Sequence, residues 1–229
     1  MRSIFSFLIV VIYCLPLLGQ QQQIADSLRQ IYATDTLRGV EKMKVLNDLA
    51  FNEINDLELA LKYSDELISL ADSLDNKDYL SSGYLQKGNA LLSMRRLSEA
   101  LEAFGKSAEI AALDGDKIGE GLALMSMGGT YLESGDMDKA AESYEKSIDI
   151  LRDPEVKIEP EGPQNLAIAS YNLGELFLSN GDLDKAEAYF LEARIIFAEE
   201  NHRPGLSYSL GHIGRLYAQR GQPKAAIAY

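Results

Sequence analysis

Read for polarity alone, residues 46–229 fall into stretches in which apolar side chains recur at i, i+3, i+4 and i+7. That is the spacing of one face of an α-helix. Short polar turns separate the stretches, among them Ser134-Gly135-Asp136 and Asn180-Gly181-Asp182. In such a turn the glycine takes the left-handed conformation that ends one helix, and the aspartate or a neighbour caps the next. The pattern predicts an all-α chain of helices joined in pairs.

The pairs repeat. GNALLSMRRLSEALEAFGKS from Gly88, GGTYLESGDMDKAAESYEKS from Gly128, GELFLSNGDLDKAEAYFLEA from Gly174 and GRLYAQRGQPKAAIAY from Gly214 align without gaps. Each glycine is followed twelve residues later by an alanine: Ala100, Ala140, Ala186 and Ala226. Three after the glycine stands a large apolar residue (Leu91, Tyr131, Phe177 or Tyr217), and four after the alanine an aromatic one (Phe104, Tyr144 or Phe190). A small residue, Ser107, Ser147 or Ala193, comes three later. A glycine in the first helix and an alanine early in the second let two helix axes approach closely, and the large residues fill the space beside that contact.

This small–large–small, helix–turn–helix pattern resembles the tetratricopeptide-repeat (TPR) family. The resemblance lacks the family's tryptophan. It has a long period, 40 residues from Gly88 to Gly128 and 40 from Gly174 to Gly214, against the usual ~34. It implies an all-α solenoid of antiparallel helix pairs in a right-handed superhelix. Repeats are expected over 46–80, 81–120, 121–166 and 167–206, with an incomplete one over 207–229 and a helical cap over 20–45. The first repeat is divergent, with helices read at 46–55 and 59–74. Between Gly128 and Gly174 the spacing stretches to 46, and Arg152 to Asn165 holds Pro154, Pro160 and Pro163. Proline disfavours helix in the residue before it, so 152–165 is expected to be a loop. It reads either as a binding loop or, more simply, as a tolerated insertion. The second helix expected of the last repeat is cut at Tyr229, so the sequence reads as the N-terminal piece of something longer.

Residues 1–19 have a different character: Arg2, an apolar run from Ile4 to Leu18, then Gly19 before a glutamine cluster. This is the layout of a secretory signal peptide, and an exported, periplasmic or periplasm-facing protein is expected. The sole cysteine, Cys14, lies in this run, so disulfides are not expected in the mature chain. The formal net charge is −13, and −14 once Arg2 is removed. Such an acidic chain is repelled by nucleic acid and anionic lipid, and membrane contact is expected only through a segment outside this chain.

The search for chemistry finds little. His202 and His212 form no zinc-protease motif, GDKIGEG around Gly119 lacks the lysine of a phosphate loop, and Asp182 with Asp184 lacks the rest of a calcium loop. No catalytic, cofactor or metal site is expected, and both histidines read as structural or solvent-facing. What remains is surface. The resemblance implies that first helices line a groove, with Leu85, Met125 and Tyr171 three before the glycine and Asn89, Glu175 and Arg215 one after it. Asn89 and Arg215 suit a clamp for an acidic tail but Glu175 opposes it, so no such clamp is expected. The apolar row suits an amphipathic helix, or else packs on the neighbouring repeat. The expected function is a protein-interaction scaffold. Long-period arrays behind a signal peptide resemble the sensor region of bacterial signal-transduction proteins with nucleotide cyclase or histidine kinase output. The alternative is a freestanding exported scaffold for assembling other proteins.

Overall fold

The structure is a computed structural model that describes residues 21–229; the expected signal segment at 1–19, with Cys14, lies outside the described residues. Every regular element among the described residues is helical. A first helix α1 covers 21–32. The rest form antiparallel pairs: α2 (Gly39–Asn52) with α3 (Leu57–Ser73), α4 (Lys77–Ser93) with α5 (Leu97–Asp114), and α6 (Lys117–Ser134) with α7 (Met137–Leu151). After a one-turn helix α8 (Pro154–Lys157) come α9 (Gly162–Ser179) with α10 (Leu183–Glu199) and α11 (Arg203–Gln219) with α12 (Pro223–Ala228).

The turns explain why the helices begin and end where they do. In most of the turns one residue takes a positive φ: Gly135, Gly181 and Gly221 inside hairpins and Gly115 between two, at +69° to +83°. Arg95, Asp75 and Asn201 do the same job without glycine's freedom. An N-cap side chain then accepts a hydrogen bond from the backbone N–H three residues on. Asn76 accepts from Tyr79, Asp116 from Gly119, Asp136 from Lys139 and Asp182 from Lys185, at 2.8–3.2 Å. His202 caps α11 through Nδ1, 3.1 Å from the Gly205 nitrogen. Each such cap contributes about 1 kcal/mol.

Signature residues meet inside each hairpin. Phe104 and Phe190 are completely buried and Tyr144 nearly so. A methyl group placed on Gly88 would lie 2.4 Å from the Phe104 ring, on Gly128 2.8 Å from Tyr144, and on Gly174 2.9 Å from Phe190. The aromatic ring therefore lies on the glycine itself rather than beside it. Ala100, Ala140 and Ala186 are fully buried. The small residue that follows adds a polar stitch: Ser107 donates to the Ser81 carbonyl (2.9 Å) and Ser147 to the Gly121 carbonyl (2.7 Å), each from second helix to first. In the last hairpin Gly214 faces the Ala226 carbonyl instead of a ring.

The chain forms two compact units, Met1–Ile110 and Ala111–Tyr229. In the described part of the first, Met43, Leu46, Leu49, Tyr63, Leu67 and Leu80 make the core. Tyr32 of α1 meets Tyr63 edge-on at 5.6 Å and donates to Glu66 (2.6 Å), which also pairs with Lys42 (2.8 Å). In the second unit Tyr144, Leu151, Leu173, Phe177, Phe190 and Ile213 share one core.

Two expectations need correction. The first helix read at 46–55 spans Gly39–Asn52, because Met43 is a buried member of the same apolar stripe one turn earlier. The segment 152–165 is not a plain loop. Asp153 caps α8 with Pro154 in its first turn, and Gly162 opens α9 with Pro163 in its first turn. Both prolines sit where a helix N-terminus tolerates a missing N–H. Gly162 is glycine because α8 comes so close; a methyl there would lie 1.9 Å from the Val156 carbonyl oxygen.

Candidate functional site

The expected groove residues fall in both units. In the first, Leu85 and Asn89 are half-buried on α4. Asn89 Nδ2 donates to Gln86 Oε1 (3.2 Å), and Gln86 Nε2 donates back to Asn47 Oδ1 on α2 (3.4 Å). Asn89 and Gln86 line a cavity of about 500 Å³ together with Phe51, Ile54 and Leu57. Its lining is largely apolar, with the amides of Gln86 and Asn89 and the carboxylate of Glu53 among its polar groups.

In the second unit Met125 (α6) and Tyr171 (α9) are half-buried, both packed on the common core. Tyr171 gathers a cluster. Its ring lies 5.7 Å from Phe190 and 5.2 Å, edge-on, from His212 of α11. The Tyr171 hydroxyl is 3.1 Å from His212 Nδ1, and His212 Nε2 is 2.9 Å from Glu175 Oε1. His212 Nδ1 also lies 3.1 Å from the Tyr208 carbonyl, one turn back in its own helix. The hydrogen bond to Glu175 raises the His212 pKa above its ordinary value, against the opposing pull of burial. The same bond lowers that of Glu175. Burial, and then Glu175, push the Tyr171 hydroxyl upward, so it stays neutral. Arg215 is exposed one turn along and acts on Tyr171, Glu175 and His212 through its charge. Tyr208 is 66% exposed beside the cluster.

The structure thus brings Tyr171 and Glu175 together and adds His212, which the sequence placed as structural or solvent-facing. A signal was available. Two before each signature glycine stand Gln86, Ser126, Asn172 and His212, all polar. Gln86 and His212 both use that position to reach the preceding first helix. Asp182 and Asp184 have other work: Asp182 caps α10, and Asp184 pairs with Arg220. Among the described residues no three His, Cys, Asp or Glu side chains are grouped to hold a metal ion. Nor is any helix among them long and apolar enough to cross a membrane.

Comparison with known proteins identifies the repeats. The profile of the tetratricopeptide repeat matches residues 79–153 and 165–229. The photosystem I assembly protein Ycf3 of Prochlorococcus marinus subsp. pastoris is 26% identical over 134 residues, covering 58% of this chain and 70% of its own length. BtubC from P. vanneervenii superposes with a TM-score of 0.71 at 18% identity, over 92% of this chain and 85% of that one. A Rap protein in complex with competence and sporulation factor gives 0.67 at 17% identity, over 89% of this chain and 55% of that one. At these identities the two structures show a shared fold.

Proposed function

The chain belongs to the tetratricopeptide-repeat family, and from that premise we propose that the first-helix face around Tyr171, Glu175 and His212 holds a protein or peptide partner. The protein is a scaffold for protein–protein interaction. The observation that carries the specific face is the half-buried Tyr171–Glu175–His212 cluster, flanked by exposed Tyr208 and Arg215. An aromatic anchor beside charged and hydrogen-bonding groups is the composition of an interface hot spot. Within the same unit Met125 on α6 extends the partner-facing set, and with Tyr171 it suits one face of an amphipathic helix; Leu85 and Asn89 are candidates for a partner contact within the first unit by itself. A fold neighbour solved in complex with a factor supports binding as the use of this architecture.

The wider reading is that the scaffold is exported and serves as the periplasm-facing recognition region of a larger bacterial signalling protein, of nucleotide cyclase or histidine kinase type. The export pattern of residues 1–19 and the acidic charge support it. A second reading, a freestanding exported assembly scaffold, is favoured by the relatives at about 25% identity that carry the name of an assembly protein.

A photo-crosslinking amino acid at position 208, used in periplasmic extract, tests the face. Capture of a defined partner is expected, falling at least tenfold in Tyr171→Ala/Arg215→Glu. Undiminished capture by that variant rejects the face. N-terminal sequencing of exported material is expected to begin near Gln20. In the same reading frame beyond Tyr229, a ~20-residue apolar segment followed by a catalytic domain favours the sensor, and an early stop codon the freestanding scaffold.

A further inference from the structure

The second helices of the repeats turn one face inward and one outward, and α10 is apolar on both. Its inner stripe, Ala186, Phe190, Ala193 and Phe197, is buried. Its outer stripe is Ala188, Leu191 and Ile195, spaced i, i+3 and i+7. Ile195 is 49% exposed and Ala188 is exposed. The corresponding residues of α7, 46 positions earlier, are Glu142, Glu145 and Asp149; those of α5, 40 earlier still, are Glu102, Gly105 and Glu109. A surface helix normally keeps one apolar face and one polar face. Here two of the three charged outer positions of the neighbouring repeat carry large aliphatic side chains and the third an alanine.

The outer stripe of α10 lies on the floor of a cleft of about 1310 Å³. Glu145 of α7 stands on one side, and the inserted segment supplies Arg152, Lys157 and Pro163. The cleft runs along α10 from Lys185 to Glu200, about 22 Å at ~1.5 Å per residue. That is long enough for roughly four turns of a second helix. Its charges are unevenly satisfied. Arg152 is held by Glu192 (2.9 Å), and Lys185 by Asp182 (3.5 Å) and the Phe177 ring. Glu145, Glu199 and Glu200 line the cleft and take part in no ion pair among the described residues. Three unpaired carboxylates thus stand against one cation unpaired among the described residues, Lys157, beside the ion-paired Arg152 and Lys185, in a chain whose net charge is already −13.

We infer that the α7–α10 cleft is a second docking surface, separate from the first-helix face, and that it takes an amphipathic helix with a leucine-rich stripe flanked by lysine or arginine. The apolar floor accepts the stripe at i, i+3/i+4 and i+7. The carboxylates at Glu145 and at Glu199–Glu200, on the side and end of the cleft, select basic flanks and reject acidic ones. The insertion that lengthens this repeat supplies one wall.

Fluorescence anisotropy with a labelled 14-residue leucine–lysine helix and its leucine–glutamate counterpart tests this. The leucine–lysine peptide is expected to bind saturably and the leucine–glutamate peptide not to bind. Ala188→Glu/Ile195→Asp, which installs the residues of α7 at two exposed positions, is expected to weaken binding at least tenfold with an unchanged melting temperature. Glu199→Lys/Glu200→Lys weakens it several-fold. Tyr171→Ala/Arg215→Glu leaves it within twofold, so failure here is distinct from failure at the first-helix face. Three results overturn the inference: binding within twofold in Ala188→Glu/Ile195→Asp, equal binding of both peptides, or self-association in sedimentation that this variant abolishes. The last would make the occupant a second copy of the chain.

Discussion

Helices α7 and α10 occupy the same place in successive hairpins and agree on one side only. Facing in, Ala140 matches Ala186, Tyr144 matches Phe190, and Ser147 matches Ala193. All six are buried, and each aromatic ring covers the glycine of its first helix. Facing out, charge in α7 becomes aliphatic surface in α10. The inner side answers to its own hairpin and its neighbours, which is where a repeat protein draws its stability. The outer side has no such duty, so what stands there reports on what the helix meets. A repeat array can be read by subtraction: what the repeats share is the fold, and where one departs is the place to look for function.

The largest expected effects test the shared side. Phe190→Ala and Tyr144→Ala should each cost about 3–5 kcal/mol, measured by urea unfolding. If either cost fell below about 1 kcal/mol, the two inner faces would not be equivalent. The glycine contact gives a finer test. Gly128→Ala and Gly174→Ala push a methyl into a locked ring and should each cost about 1–3 kcal/mol. Gly129→Ala, one residue away, meets only the Tyr144 hydroxyl oxygen at 3.5 Å. It should gain up to about 1 kcal/mol from helix propensity. Opposite shifts in melting temperature for neighbouring glycines would assign the cost to the ring contact; shifts of one sign would refute it.

The smallest effect concerns the first helix paired with α10. The His212 pKa is raised in the folded state, so its contribution is complete below the unfolded value of about 6.5 and is lost as pH rises through the folded value. Glu175 is lowered, so its contribution is complete above about 4.3 and fades only in acid. The pair therefore contributes most between those two values. Because both groups are partly exposed, the size is at most about 1 kcal/mol. The melting-temperature gap between the wild type and His212→Asn should be clear at pH 5.5 and shrink by pH 9. A gap independent of pH would mean that His212 acts by packing alone.

The helices and their pairing were legible because the code is local. Glycine, alanine and an aromatic at fixed offsets place two helices against each other whatever the rest of the chain does. The start of α2 was missed because Gly39 and Val40 interrupt the polar pattern while Met43, one turn further on, already belongs to the core. The 152–165 segment was misread because prolines count as helix breakers unless they stand in a first turn, as Pro154 and Pro163 do. The role of His212 was hidden for another reason. A single histidine has no meaning until the preceding first helix is laid beside it and Glu175 comes within 2.9 Å. The outer stripe of α10 lay in plain sight and becomes visible only when the repeats are compared at positions outside the family signature.

One feature of the turns bears on how such a chain can change its length over time. From α2 to α12, no junction outside residues 152–161 is longer than four residues. Most are set by one left-handed residue followed by a cap, so adding or deleting a residue there would separate that residue from its cap and disturb the packing of the helices it joins. The α7–α9 connection has no such constraint, and α8 shows that it has already absorbed extra residues. Insertions and deletions among close variants of this protein should therefore gather at that one connection, beside the cleft whose wall it builds.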